Sequence, residues 1–169
     1  GGKGKEKYWI ETLKKRWAKK FPILNKKVLF TNTLSLLEFI SLCKCVNVLL
    51  DPLYFGGGNS FLEAMLVGTP TITMPGTHLK TNITSAAYKQ MKILNPPIVQ
   101  SSEEYINLAV KLAQNSKINF SLREESTAGA NKYLYNNLIA LQEFEDFLKE
   151  AHMTAQSGNK LKDGHKIGS

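Results

Sequence analysis

Apolar residues follow two alternating rhythms along this chain. Short runs rich in β-branched and leucine side chains occupy positions 28–30, 46–50 and 71–74, with a weaker one at 98–99. Bounded by polar, Pro or Gly positions, such runs are expected of strands buried on both faces. Between them apolar positions recur every three to four residues, which is the helical period. That spacing predicts helices near 8–21, 36–42, 61–66, 82–91 and 103–114, and a long terminal helix over 130–150 carrying Tyr133, Leu134, Leu138, Leu141, Phe144, Phe147 and Leu148. Alternation of strand and helix predicts an α/β fold with a doubly wound, mostly parallel sheet and right-handed crossovers. The helix near Tyr8 follows no strand of its own, so the first strand–helix unit is expected to be incomplete. Arg123, Glu124 and Glu125 read as the start of a polar connection. Residues 154–169 have few apolar anchors and read as a disordered tail, leaving a domain over 1–153 with residues 1–5 as a flexible lead-in.

The most informative stretch is residues 51–75, DPLYFGGGNSFLEAMLVGTPTITMP. An apolar run ending at Leu50 passes Asp51 and Pro52 into Gly56, Gly57 and Gly58, and then into a helix. Glycines lack Cβ atoms and let another group approach the backbone closely. Asn59 or Ser60 is placed to cap the helix, Phe61, Leu62, Met65 and Leu66 supply its apolar face, and Gly68 followed by Pro70 is a stop signal. A glycine turn that opens a helix offers free N–H groups and the positive end of the helix dipole, which suits an anion. The run is neither a Walker loop, since no Lys-Ser or Lys-Thr follows, nor GxGxxG. The same pattern also fits a tight strand-to-helix turn with no ligand. Glu63 likewise has two readings. With Ser60 it has the S-x-x-E spacing of a capping box, while beside a nucleotide its carboxylate suits two ribose hydroxyls.

Residues 49–88, LLDPLYFGGGNSFLEAMLVGTPTITMPGTHLKTNITSAAY, resemble the donor-binding half of the O-linked N-acetylglucosamine transferase family. That family shows a strand ending in Asp, a Gly-rich turn with a polar pair, an acidic residue in the next helix, then G-T-P, a short strand and P-G. All are present here in order, and a looser resemblance runs over residues 28–148. It implies a Rossmann-like lobe of a GT-B glycosyltransferase that holds a nucleotide sugar, usually a UDP-sugar, and needs no metal. By position Gly58, Asn59 and Ser60 match the diphosphate contacts, with Gly57 in the same turn, and Glu63 matches the ribose-binding acid. Thr33 and Leu34 match positions that hold the base through backbone groups. Phe39 falls near a ring that stacks on uracil, and core packing is its other reading. Two departures stand out. Gly58, Asn59 and Ser60 replace a frequent His-Thr-Thr, and Asn82 stands where an Arg commonly follows the P-G loop. A basic residue that the family places upstream on this lobe has no counterpart. The resemblance also places the acceptor site and the second lobe outside these residues.

Composition and charge refine this picture. At 169 residues and 43% hydrophobic content, the chain suffices for about one domain with a core. No apolar run reaches the ~20 residues that span a bilayer, and no signal peptide opens the chain, so the expectation is a cytoplasmic protein without a membrane span. The formal charge of +8 is concentrated at the start, where the first 27 residues hold ten Lys or Arg against Glu6 and Glu11. There Tyr8, Trp9, Leu13 and Trp17 recur at helical spacing among Lys14, Lys15, Arg16, Lys19 and Lys20. This amphipathic helix is expected to lay its aromatic stripe on a sheet and leave its lysines in water, which argues against nucleic acid as the partner. Cys43 and Cys45 lack both CxxC and zinc-site spacing and read as buried thiols. Lys80 in the loop after the 71–74 strand is a candidate counter-charge for a diphosphate, because ligands sit at that end of open α/β sheets. His78 in the same loop and His165 in the tail read as solvated.

Together these readings lead to the donor-binding half of a glycosyltransferase that moves GlcNAc or a hexose from a UDP-sugar to an acceptor, with protein the expected acceptor class. No catalytic base is assigned. Two rivals remain open: a non-catalytic nucleotide- or phosphate-binding module, and a basic protein that uses Lys14, Lys15, Lys19 and Lys20 to bind nucleic acid or an anionic surface.

Overall fold

The computed structural model describes residues 5–166. Of the lead-in expected at residues 1–5, the first four lie outside them, and Lys5 belongs to the first helix. The chain forms two compact units, residues 1–39 and 40–169, whose boundary falls inside a helix, α3, at Leu36–Cys45.

In the first unit, α1 (Lys5–Lys20) is followed by α2 (Pro22–Lys27), which has Pro22 at its first position, where a missing N–H costs nothing. The strand expected at 28–30 is not formed. Val28 takes an extended conformation, but its N–H closes α2 by bonding Leu24 O at 3.2 Å, so it is not available to a ladder. The aromatic stripe of α1 is only partly engaged within this unit. Trp17 stacks on Phe30 with centroids 6.0 Å apart and Lys14 lies over the same ring, while Tyr8 and Trp9 stay exposed. α3 opens on a complete capping box: Ser35 Oγ accepts the Glu38 N–H, and the Glu38 carboxylate accepts both the N–H and hydroxyl of Ser35.

The second unit is built on a small parallel sheet. β1 (Leu49–Leu50) pairs with β2 (Thr71–Ile72), with Leu49 opposite Thr71 and Leu50 opposite Ile72, and Thr73 bridges in parallel to Ile98. The parallel pairing expected of the sheet is present at these three segments, although each is shorter than its apolar run. Val46 bonds back to Leu42 O and so extends α3 at the expense of the strand. Around the sheet lie α4 (Asn59–Met65), a 3₁₀ turn (Leu79–Thr81), α5 (Ile83–Gln90), α6 (Ser102–Gln114), α7 (Ser116–Gly129) and α8 (Leu138–Gln156). Phe61, Met65, Ile72, Tyr88, Met91 and Leu112 fill the core. Phe61 meets Tyr88 edge to face at 5.2 Å, and the Tyr88 hydroxyl accepts the Thr71 N–H at 2.9 Å.

Two expectations about the C-terminal half are corrected. Arg123, Glu124 and Glu125 lie inside α7 and do not begin a connection. The long helix predicted over 130–150 is interrupted: α7 runs into a π-helical turn at Ala130–Leu134, Tyr135 turns extended, Asn136 takes φ +52°, and the Asn137 side chain caps α8 by accepting the Ile139 and Ala140 N–H groups. Asn tolerates the left-handed conformation, which explains how two adjacent asparagines end one helix and start another. A long C-terminal helix is present in α8, which continues to Gln156 and buries none of its residues fully. No helix among the described residues is long and apolar enough to cross a membrane.

Candidate functional site

The glycine turn at the carboxyl end of β1 is organised by Asp51, a carboxylate only 5% exposed. Its Oδ1 accepts the Gly57 N–H at 2.6 Å and its Oδ2 accepts the Thr73 hydroxyl at 2.7 Å. Its main-chain oxygen accepts the Tyr105 hydroxyl at 2.8 Å. The neighbouring Gly56 N–H donates to Lys80 O at 2.8 Å, which fastens the turn to the loop after β2. A Cβ at Gly56 would come within 3.1 Å of that carbonyl and 3.3 Å of Asp51 Oδ2, so a glycine is needed for this close approach. A Cβ at Gly58 would meet nothing within 4 Å.

Gly58, not Asn59 or Ser60, is the N-cap of α4, and no side chain caps this end. Beginning at Asn59, the helix takes Ser60 into its first turn, and the Ser60–Glu63 capping box is not formed. Of the two readings of Glu63, the local one is therefore removed: among the described residues no hydrogen bond or ion pair engages its half-buried carboxylate. The N–H groups of Gly58, Asn59 and Ser60 also find no acceptor among the described residues, whereas those of Gly56 and Gly57 are taken. The turn thus divides into an inner pair of amides bonded to the protein and an outer trio with no acceptor among the described residues.

The loop 75–82 closes one side. Asn82 Nδ2 donates to Gly76 O at 2.8 Å and to His78 O at 2.9 Å, while the Thr81 hydroxyl donates to His78 O at 2.7 Å. Asn82 thereby shapes the loop with a neutral amide. Lys80 is exposed and, with His78, Leu79 and Ile83, lines a shallow open depression. Gly57, Gly58, Asn59, Ser60 and Glu63 follow one another through the turn and α4 of the second unit, and Lys80 is tied to the turn through its main-chain oxygen, while the depression that it lines includes none of them. Thr33, Leu34 and Phe39 belong to the first unit, where Thr33 lines a cleft with Trp9, Leu13 and Phe30, and Phe39 is half-exposed in the first turn of α3.

Several residues that matter here carry no motif. Arg123 on α7 donates to the carbonyls of Cys43, Val46 and Val67 and to Thr69 Oγ1, tying the ends of α3 and α4 together. Burial pushes the Cys43 thiol up, with Arg123 pulling it down and Glu63 adding to the rise. Cys45, expected to be buried like Cys43, is exposed. His165, expected to be solvated, lies 3.0 Å from Glu150 on α8. No group of three or more His, Cys, Asp or Glu among the described residues is arranged to hold a metal ion.

A parallel sheet whose strand runs through a glycine turn into a helix at the carboxyl edge has the form of one lobe of a GT-B glycosyltransferase. An O-GlcNAc transferase mutant from Thermobaculum terrenum superposes on it with a TM-score of 0.72 over 83% of this chain, at 20% identity, and the chain spans 27% of that protein's length. The model of glycosyl transferase family 41 matches residues 8–139, and the chain belongs to that family. Sequence comparison with curated proteins finds no match.

Proposed function

We propose that this chain is the donor-binding lobe of a glycosyltransferase that transfers GlcNAc or a hexose from a UDP-sugar to an acceptor, with protein hydroxyls or amides as the acceptor class. The observation that carries the reading is the outer trio of free N–H groups at Gly58, Asn59 and Ser60, in a chain whose family is glycosyl transferase family 41. These donors lie where a diphosphate would sit, and the start of α4 adds the positive end of its dipole. As the glycosidic bond to the donor breaks, negative charge grows on the diphosphate, and fixed N–H donors oppose that growth with no metal ion. Ser60 Oγ and the mobile charge of Lys80 would add to them. Glu63, free of any local cap, is the group for the two ribose hydroxyls. For the base, the resemblance offers Thr33, Leu34 and Phe39, which lie in the first unit.

Because the chain spans about a quarter of its structural relative, the acceptor site and the catalytic base are assigned to the rest of a longer enzyme. The test is calorimetric titration of UDP, with GDP and inorganic phosphate as controls, into the chain and into Glu63→Ala. Binding selective for UDP and weakened about tenfold or more by the substitution is the expected result. A folded chain that binds GDP or phosphate equally well would reduce the site to a general anion-binding turn, and no binding at all would remove the donor reading.

A further inference from the structure

We infer that Asp51 is a positioning residue for the donor: its buried carboxylate locks the glycine turn so that the amides of Gly58, Asn59 and Ser60 face outward. The inference rests on the reading of this turn as the diphosphate site. A carboxylate 5% exposed carries a large desolvation cost unless its oxygens are satisfied. Among the described residues no cation pairs with Asp51. It is satisfied by two neutral donors, Gly57 N–H at 2.6 Å and Thr73 Oγ–H at 2.7 Å. Hydrogen bonds to an ionised acceptor are shorter and about twice as strong as neutral ones, so they fix the orientation of the Gly57 peptide firmly. The Gly57 carbonyl, in the next peptide plane, is held separately by the Thr84 hydroxyl of α5 at 3.5 Å.

The residue is itself held on three sides. Its N–H bonds Ile72 O at 3.0 Å, its oxygen takes the Tyr105 hydroxyl of α6, and its side chain reaches Thr73 beyond β2. The carboxylate therefore has little freedom to follow the turn, and the turn must follow it. This assigns the three glycines different tasks. Gly56 crowds the carboxylate, with its Cβ position 3.3 Å from Oδ2, whereas a Cβ at Gly57 would make only ordinary contact with Oδ1 at 3.5 Å and Gly58 looks into open space. Gly56 makes room for Asp51, Gly57 donates its N–H to it, and Gly58 leaves space open on the outer side.

The test compares the chain with Asp51→Asn and Tyr105→Phe, reading UDP affinity by calorimetry, the melting temperature, and the Gly57 amide in a ¹H–¹⁵N spectrum. Asp51→Asn keeps the shape of the side chain and loses its charge. It is expected to fold, to move the Gly57 amide proton upfield from its carboxylate-bonded position, and to weaken UDP binding about tenfold. Tyr105→Phe removes one of the three holds on Asp51 but keeps its carboxylate, so it is expected to lower the melting temperature, to leave the Gly57 amide carboxylate-bonded, and to weaken UDP binding less than Asp51→Asn does. A folded Asp51→Asn variant with an unmoved Gly57 amide or unchanged UDP affinity would overturn the inference. If the unsubstituted chain binds no UDP while Asp51→Asn still moves the Gly57 amide, the diphosphate reading fails and the lock on the turn stands.

Discussion

The Tyr135 hydroxyl donates a hydrogen bond to the main-chain oxygen of Leu62 at 2.6 Å. In a regular helix that oxygen would receive the Leu66 N–H, but Leu66 bonds Glu63 O at 3.2 Å as α4 tightens toward its end. Tyr135 therefore takes over an acceptor that the helix itself gives up. The residue follows the π-helical turn at Ala130–Leu134, and burial raises its phenol pKa. Because α4 has only seven residues, a bond one residue before Glu63 helps fix the direction of that side chain.

Replacing Tyr135 by Phe removes this donor and leaves the ring. We expect a stability loss of about 1 kcal/mol, measured as a lower denaturant midpoint with an unchanged slope. A variant as stable as the parent would show that Leu62 O is satisfied by solvent and that the contact is incidental.

Arg123 is the corresponding fixed point on the other side of α4. Its guanidinium serves the carbonyls of Cys43, Val46 and Val67 at once, a fork that a lysine ammonium does not reproduce. Arg123→Lys is expected to lose about 3 kcal/mol and to lower the melting temperature by about 10 °C. A drop below about 2 °C would show that one bond matters and that the others are geometric coincidence.

Arg123 also marks the limit of what sequence reveals. Features read correctly were those encoded within a few residues. Ser35 and Glu38 form their box. Gly68 takes φ +64° and ends α4 with bonds from its own N–H to Met65 O and from the Thr69 N–H to Ala64 O. The GGG run opens a helix after an apolar strand. Arg123 sits between Leu122 and two glutamates, a pattern equally consistent with a solvated loop, and its role depends on carbonyls 56 to 80 positions away. Asp51 was legible only as the end of a strand, because its hold on Gly57 and Thr73 requires the turn to be folded first. The break at Asn136 and Asn137 did carry a local signal, but the apolar period on either side of it is in phase and hides it.

The open space at Gly58 predicts a gain of function. A Cβ there meets nothing within 4 Å, although the ψ of −98° lies outside the range that most side-chain-bearing residues adopt and sets some backbone strain against the gain. The resembled family often places His at this position, so Gly58→His would set an imidazole donor beside the three free amides. On the proposed reading, UDP binding should tighten several-fold, by the worth of about one hydrogen bond, with the larger effect below the ordinary imidazole pKa, where the ring adds positive charge. Weaker binding in a folded variant would place the diphosphate elsewhere than this turn.

High pH provides a test of the core that needs no ligand. Burial raises the phenol pKa of Tyr88 strongly, and burial with the nearby Asp51 charge pushes that of Tyr105 up to about 12. Tyr135 is raised by burial as well. A raised phenol pKa means that the folded state keeps its proton where the unfolded chain, near its ordinary value of about 10, has lost it. Below that value both states are protonated and this contribution to stability is fully present. Above it the unfolded state binds fewer protons, so stability falls as pH rises toward the folded-state values. The melting temperature should therefore hold level up to about pH 10 and then decline. Tyr133 behaves in the opposite way, because a hydrogen bond with Lys132 and the charges of Lys132 and Lys92 lower its pKa. In a spectrophotometric titration Tyr133 should ionise early without unfolding, and Tyr133→Phe should remove that early step alone. Tyr88, Tyr105 and Tyr135 should ionise late and together, as the fold opens. A gradual titration of all the tyrosines near their ordinary value, with circular dichroism unchanged, would contradict the buried placement of Tyr88 and, with it, the packing of α5 against β2.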